Sequence, residues 1–512
     1  MLPILGPLVS PTHITVYHLV GPVSALFVPA LFNLFLLAAV LAVVLLLATP
    51  SHRLGIFIWS CFFFVMPWVL LRSLATLYSW NLPHRVSLLL FGVGLLCALG
   101  FTLLWRPALT PRYESGRRLG TNLLGLAAIF GCILTIQTCW FGWQARHLND
   151  APSATASNST APAAHSLVLW IVFDEMSYAQ AFESRAPGLA LPTLDSFAAQ
   201  STTFTHTVPA GLYTDVVLPA LMDGLPDDNI RASADGQSLN LHLSATPTSP
   251  AHWQLFNPAQ TVFADAQSLG YRSAVAGWYN PYCRLLPAQL TSCFWTGQTD
   301  LTERFPARTI RANLFFPARR LLHEIPSFLF AHHVRSADQV LNAQLHINDY
   351  NDLYAAGDAA LSNPSLDFVL LHLPIPHPNG IYDRHRGVLT TGNSTYLDNL
   401  ALVDKYLAHV REVLIQQHRW DGATVLIMGD HSWRTRLLWT TDPRWSAEEQ
   451  TASHGGQFDD RPFYALKLPN QTTPAQITQP YKATNTRSLI DALLHHEITT
   501  PQQLAQWVQA ER

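Results

Sequence analysis

Charge is what this sequence has least of. Asp, Glu, Lys and Arg make up 13% of the 512 residues, about half the share found in soluble globular domains. None of the four occurs before Arg53, and no acidic residue precedes Glu114. With hydrophobic residues at 49%, the apolar excess is N-terminal and a membrane part is expected. A basic field is missing too. A net charge of −3 and an isoelectric point near 6.7 offer nothing that a phosphate backbone selects, which sets nucleic acid aside as a partner. The N-terminus lacks a basic n-region and a cleavage site, so its apolar sequence reads as a retained anchor rather than a signal peptide. Cysteine is sparse: of six, Cys61, Cys97, Cys132 and Cys139 fall in apolar stretches, leaving Cys283 and Cys293 as the pair outside them. A disulfide of an oxidising compartment is the expectation for that pair; two unpaired buried thiols are the alternative.

What is present begins with four uncharged or nearly uncharged stretches, Gly21 to Thr49, Leu54 to Leu71, Val86 to Trp105 and Gly120 to Trp143. Each is long enough to cross a hydrocarbon core of about 30 Å as a helix. They are apolar all round, whereas buried core helices of a soluble protein keep a polar face. Arg106, Arg112, Arg117 and Arg118 crowd the segment between the third and fourth stretches, which favours the cytoplasmic side. The fourth span then leads outward, and a bacterial inner membrane with a periplasmic or extracellular catalytic domain is expected. A fifth span near residues 1–20 would change only the side of the N-terminus.

The organisation that follows is an anchor over residues 1–145, a linker over 146–165, a catalytic domain over 166–490 and a helical tail over 491–512. The linker reads HLNDAPSATASNSTAPAAH, small and Pro-containing, with too little apolar content to pack. Beyond it, short apolar runs at Leu167 to Phe173, Ser273 to Trp278, Phe368 to Leu373, Ala423 to Met428 and Phe463 to Leu468 read as buried strands. Helical patterns at Leu191 to Gln200, Thr261 to Leu269 and Tyr396 to Gln416 alternate with them. That alternation predicts an α/β domain, a mostly parallel sheet with helices on both faces. Thr500-Pro501 offers an N-cap and a first-turn proline for a closing helix.

In such sheets ligands gather beyond the carboxyl ends of strands, so polar residues just after apolar runs are the ones to weigh. The first strand ends in Asp174-Glu175, where a carboxylate ligates a cation or caps a helix. In AGLYTDVVLPALMDG, Thr214 precedes a helix; it is an N-cap unless a metal or base activates it as a nucleophile. ATVLIMGDHSW ends a strand in Asp430-His431, one hard oxygen and one imidazole nitrogen, a metal pair or a hydrogen-bonded pair. His377 in PHP and His454 in HGG sit in Pro- and Gly-rich loops, where each alone is more often an ordinary loop histidine.

Taken in this order, these segments resemble the alkaline phosphatase and sulfatase superfamily over most of residues 166 to 470. LPTLDSFAAQSTTFTHTVPAG is similar to the segment that follows that family's first metal carboxylate and leads to its nucleophile. Thr214 stands five residues before Pro219, as in the membrane-bound phosphoethanolamine and phosphoglycerol transferase type, whose nucleophile is Thr. Asp430-His431 resembles the family's Asp-His metal pair, and His377 and His454 resemble the histidines that hold the substrate phosphate or a second metal. The resemblance implies an alkaline-phosphatase-like fold in which Asp174, Asp430, His431 and the Thr214 oxygen bind one divalent cation. Zinc is the first choice, with manganese, calcium or magnesium as alternatives, and Glu175 is a further ligand or a neighbour of the ligands. It also implies Thr214 as the nucleophile of a covalent phospho-enzyme.

Departures narrow the class. Thr214 to Val217 lacks the C/S-x-P-x-R motif of formylglycine sulfatases, Leu212-Tyr213 replaces the Cys-Gly pair usual before the transferase nucleophile, and Leu373 stands where two-zinc members carry Asp. Three functions remain: a transferase moving a lipid head group to an envelope glycan or lipid acceptor, a hydrolase of phosphate or sulfate esters using water, and a binding or sensory protein on the same scaffold. Membrane lipids are the expected donor in the first.

Overall fold

A computed structural model of the chain describes residues 20, 22–47, 53–77, 84–106, 109–144, 146, 165–226, 229–232, 239–243, 252–297, 309–315, 337–442 and 444–511. The expected linker over 147–164 and the possible fifth span before residue 20 lie outside the described residues. Contacts divide the chain into two units, one built chiefly of Ser24–Trp143 and the other of Gln144–Arg308 and Asp338–Arg512.

In the first unit, α1 (Ser24–Leu47), α2 (Arg53–Leu77), α3 (His84–Leu103) and α4 (Thr110–Gln144) are helices long and apolar enough to cross a membrane by length and composition. Most of their surface is uncovered, with Phe35, Leu46, Leu96 and Ile136 each more than 60% exposed. Water does not tolerate so continuous an apolar surface, whereas lipid does. Gly94 lets α2 and α3 approach, since a Cβ there would lie 2.6 Å from the Phe64 carbonyl oxygen. Trp68 Nε1 donates to Ser87 Oγ at 3.0 Å across the same pair. The Arg-rich segment is more regular than its sequence suggests: Arg112, Arg117 and Arg118 lie inside α4. At 35 residues that helix runs to about 52 Å, more than one hydrocarbon thickness. A short helix far along the chain, α8 (Ile310–Asn313), belongs to this unit as well. Asn313 Nδ2 donates to the Ala25 carbonyl at 2.8 Å, and the Phe315 ring meets Phe32 edge-on at 5.4 Å.

The second unit is organised on an eight-stranded sheet. Its strands are β1 (Val168–Asp174), β2 (Thr202–Phe204), β3 (Ser273–Trp278), β4 (Ser292–Thr296), β5 (Phe368–Pro376), β6 (Thr424–Gly429), β7 (Tyr464–Lys467) and β8 (Ala475–Ile477). They lie in the order β8-β2-β7-β6-β1-β5-β3-β4. β7 runs antiparallel to both neighbours, and every other pair is parallel. β1 is central and buried along its whole length, which explains its unbroken apolar sequence: a strand covered on both faces has no polar side. Each of its large side chains gains roughly 1.5–3 kcal/mol from that burial.

Alternate residues of β1 feed two cores. Trp170 and Val172 pack with α6 (Thr214–Asp223), α7 (Val262–Ser268) and α11 (Thr486–Leu494). Ile171 and Phe173 pack with α5 (Pro192–Ala198), α9 (Ala337–Ser362) and α10 (Tyr396–Gln416). Thr395 caps α10 in a reciprocal box with Asp398. The closing helix α12 (Pro501–Ala510) has Thr500 as its cap and Pro501 in its first turn.

Candidate active site

The carboxyl ends of β1, β5 and β6 converge on one spot, because parallel neighbours end on the same edge of the sheet. Asp174 is the last residue of β1, Asp430 and His431 follow β6 directly, and His377 follows β5. At Gly429 the chain leaving β1 crosses so closely that a Cβ would sit 2.4 Å from the Met176 carbonyl oxygen. That crossing brings the Glu175 N–H to Asp430 Oδ1 at 2.9 Å, and the same oxygen accepts from the His431 N–H at 2.7 Å. Two backbone donors thus fix one edge of the Asp430 carboxylate and leave Oδ2 facing inward.

Thr214 meets that second oxygen. It occupies the first position of α6, whose cap is Tyr213 without a side-chain hydrogen bond. The Thr214 hydroxyl is therefore not spent on its own helix; it donates to Asp430 Oδ2 at 2.8 Å. His431 Nε2 lies 3.4 Å from Asp430 Oδ2 and 3.7 Å from Asp174 Oδ1. Two ligand atoms each about 2.1 Å from a tetrahedral zinc sit about 3.4 Å apart, so these separations suit a shared ion. Asp174, Asp430 and His431 are all buried, and among the described residues His431 Nε2 has no hydrogen-bond partner. Burial lowers the His431 pKa to about 3, which keeps the ring neutral, the form that ligates a metal. Burial acts on Asp430 in the opposite sense and raises its pKa, so a cation beside it is needed to hold the carboxylate ionised at low cost.

Glu175 has a different setting. Its backbone adopts a left-handed φ of 62°, and its carboxylate turns to Arg434. The Arg434 Nε donates to Glu175 Oε1 at 2.7 Å, Nη2 reaches the same oxygen, and the Trp439 Nε1–H donates to Oε2 at 2.9 Å. Arg434 also donates from Nη1 to the Leu212 carbonyl at 3.1 Å, and its guanidinium lies 5.5 Å from the centre of the Tyr213 ring. It therefore braces the two residues before Thr214. A second group of donors, Asp174, Glu175 and His377, is close enough to hold a metal, but there the guanidinium already supplies positive charge to Glu175. The Asp174, Asp430 and His431 group is the better cation site. The three buried carboxylates and the one guanidinium sum to a formal charge of −2, which a divalent cation offsets.

His377 reaches this cluster: its Nε2 lies 3.9 Å from Glu175 Oε1, and its ring packs edge-on against Trp439 at 5.2 Å. Burial, then the Arg434 charge, lowers its pKa well below the usual range. His454 does not reach it. It is exposed, at a positive φ of 50°, with Nε2 3.2 Å from Ser184 Oγ, and it lines a separate surface cavity of about 420 Å³. Cys283 and Cys293 are joined in a disulfide, their Cα atoms 5.6 Å apart.

Three neighbours of the site escaped sequence reasoning. Arg434 carried a usable signal, standing three residues past the Asp-His pair. His372, fully buried on β5 with Nδ1 2.8 Å from the Tyr282 hydroxyl, sits in mid-strand where an apolar residue is the norm. Asn280 gave no signal.

No family model matches the sequence, and no curated protein matches it. Among solved structures, the chain is similar to the lipoteichoic acid synthase LtaP from Listeria monocytogenes at 13% identity, over 67% of this chain and 76% of that one, with a TM-score of 0.38. It is similar to the phosphonate monoester hydrolase of Agrobacterium radiobacter at 12% identity, over 65% and 74%, with a TM-score of 0.34. It is also similar to an alkaline phosphatase superfamily protein from Vibrio parahaemolyticus at 13% identity, over 69% and 76%, with a TM-score of 0.35.

Proposed function

We propose that the chain is a membrane-anchored, metal-dependent enzyme of the alkaline phosphatase and sulfatase superfamily. In this reading it moves a phosphorus-containing head group from a membrane lipid to a glycan or lipid acceptor of the bacterial envelope, through Thr214. The observation that carries the reading is the Thr214 hydroxyl, turned from its helix to Asp430 Oδ2 at 2.8 Å beside the Asp174, Asp430 and His431 donors. A threonine that served as the cap would bond the helix backbone, but the cap of α6 is Tyr213.

Asp174, Asp430 and His431 would hold the divalent cation, zinc by the mix of carboxylate and imidazole, which when bound supplies charge stabilisation to phosphoryl oxygens and lowers the pKa of a neighbouring hydroxyl. The protein's own groups do the rest. Asp430 orients the Thr214 hydroxyl and accepts its proton as Oγ1 attacks phosphorus. The Thr214 oxygen–phosphorus bond forms as the bond to the lipid alcohol breaks, that proton passes to the departing lipid oxygen, and the N-terminus of α6 faces the anionic oxygens. An acceptor hydroxyl then displaces Thr214 and restores the enzyme. The four apolar helices support a membrane-resident donor, since they keep the chain beside its lipid.

Three measurements test this. Thr214→Ala should reduce turnover of a phosphodiester by several orders of magnitude while metal content persists; near-normal turnover would refute the nucleophile. Acid-quenched enzyme incubated with lipid vesicles should carry a phosphorylated adduct on the peptide containing Thr214. Release of free head group without an acceptor, unchanged when a glycolipid acceptor is added, would favour hydrolysis over transfer.

A further inference from the structure

We infer that Asn280 is a positioning residue for Thr214, and that the disulfide Cys283–Cys293 holds the turn on which Asn280 sits, so that placement of the nucleophile depends on that disulfide. The inference rests on Thr214 being the nucleophile.

Asn280 is completely buried, and its Nδ2 donates to the Thr214 carbonyl oxygen at 3.3 Å. The opposite amide orientation would set two acceptor oxygens against each other, so the partner fixes which end faces Thr214. Thr214 is thereby held at two points. Asp430 takes its hydroxyl, and Asn280 takes its backbone at the first position of α6, where the helix has no capping side chain of its own. Asn280 touches no oxygen that reacts, which makes it a positioning residue rather than a catalytic one.

The turn that carries Asn280 is fastened from several directions. The Tyr279 N–H donates to the Thr296 carbonyl on β4 at 2.8 Å, the Asn280 N–H to the Trp278 carbonyl at 2.8 Å, and the Tyr282 N–H to the Asn280 carbonyl at 2.9 Å. Tyr279 adopts a φ of 69°, a conformation that costs a non-glycine side chain on the order of 1 kcal/mol and persists only where its surroundings impose it. The Tyr282 ring lies on Gly277, where a Cβ would be 2.2 Å from the ring, and its hydroxyl meets His372 Nδ1 on β5 at 2.8 Å. The next residue, Cys283, is bonded to Cys293 on β4. One turn is thus tied to β4 by a covalent link and to β5 by a buried hydrogen bond, and it presents a single amide to the nucleophile. A misplacement of about 1 Å at a reacting group costs on the order of 10²-fold in rate, so the fastening bears on kcat.

The test uses the full-length protein in detergent. Hydrogen exchange of a peptide spanning residues 213–218 should quicken at least tenfold in Asn280→Asp, whose carboxylate faces the Thr214 carbonyl without a donor. It should quicken comparably in Cys283→Ser/Cys293→Ser and in wild type treated with thiol. The peptide spanning residues 425–431 should stay as protected as before. With bis(p-nitrophenyl) phosphate as the probe, kcat should fall at least tenfold in each, with KM and metal content within twofold of wild type. Combining Asn280→Asp with the double serine variant should add little to either change alone. Asn280→Ser, smaller and without charge, provides the same comparison if Asn280→Asp does not fold. Exchange at 213–218 within twofold of wild type in the folded variants would overturn the inference. Thr214→Ala is measured alongside. If it stays active, the nucleophile assignment fails; if it is inactive while the Asn280 variants keep their kcat, only the positioning role fails.

Discussion

A strand's end fixes where its next side chain points, so residues that directly follow neighbouring parallel strands meet at one edge of the sheet. Asp174, Asp430 and His431 meet as their positions imply, and Thr214 joins them across 216 residues of chain. Glu175 shows where that logic stops. Its neighbour Asp174 faces the Asp430 and His431 donors, but its own left-handed backbone turns the carboxylate to Arg434, 259 residues away, and no local pattern encodes that pairing. The consequence is measurable. Glu175 is fully buried and Arg434 nearly so, so removing the guanidinium strands a carboxylate, a change that typically costs about 3–5 kcal/mol. Arg434→Ala should therefore show a lowered denaturation midpoint by that order, with part of the loss recovered in Glu175→Gln/Arg434→Ala. Asp430→Ala should instead lose the metal in elemental analysis. A stable Arg434→Ala protein would mean that water or another cation serves Glu175.

At the scale of elements, the strands and helices of the sheet were legible for a physical reason. Strands covered on both faces are apolar along most of their length, and β1, β3, β5, β6 and β7 each coincide with one of the apolar runs of the sequence. Short strands such as β2 and its edge neighbour β8 were not, since three residues give no period to count. β7 also hides a charge inside its apolar pattern. Lys467, 1% exposed, ends the strand and donates from Nζ to the carbonyls of Trp420, Ala423, Asp421 and Leu468 at 3.0 to 3.4 Å. The ammonium thereby closes the turn that leads from α10 into β6, and the Trp420 ring lies 5.4 Å from it. Lys467→Met keeps an unbranched side chain one atom shorter but leaves those oxygens without a donor, which should cost about 1–3 kcal/mol. The expected sign is a lower melting temperature with metal content unchanged. A melting temperature equal to wild type would show that solvent replaces the ammonium.

At the scale of the whole molecule, two independent features bear on which side of a membrane each unit occupies. The first is charge: Arg112, Arg117 and Arg118 lie in the N-terminal part of α4, and basic residues at the end of a span favour the cytoplasm. The second is redox chemistry. The Cys283–Cys293 bond belongs to the second unit, and structural disulfides persist in oxidising compartments, whereas Cys61, Cys97, Cys132 and Cys139 in the helices are free thiols. We propose from both that the α4 N-terminus is cytoplasmic and the sheet extracytoplasmic; one argument reads the membrane and the other the solvent. They also agree with the proposed chemistry, which needs an envelope acceptor on the outer side. Reporter fusions separate the possibilities. A secreted phosphatase that folds only outside the cytoplasm should be active when fused after residue 160 and inactive when fused near Arg112. Activity near Arg112 with silence after 160 would invert the topology, and the disulfide would then have to form in a reducing compartment that does not sustain it.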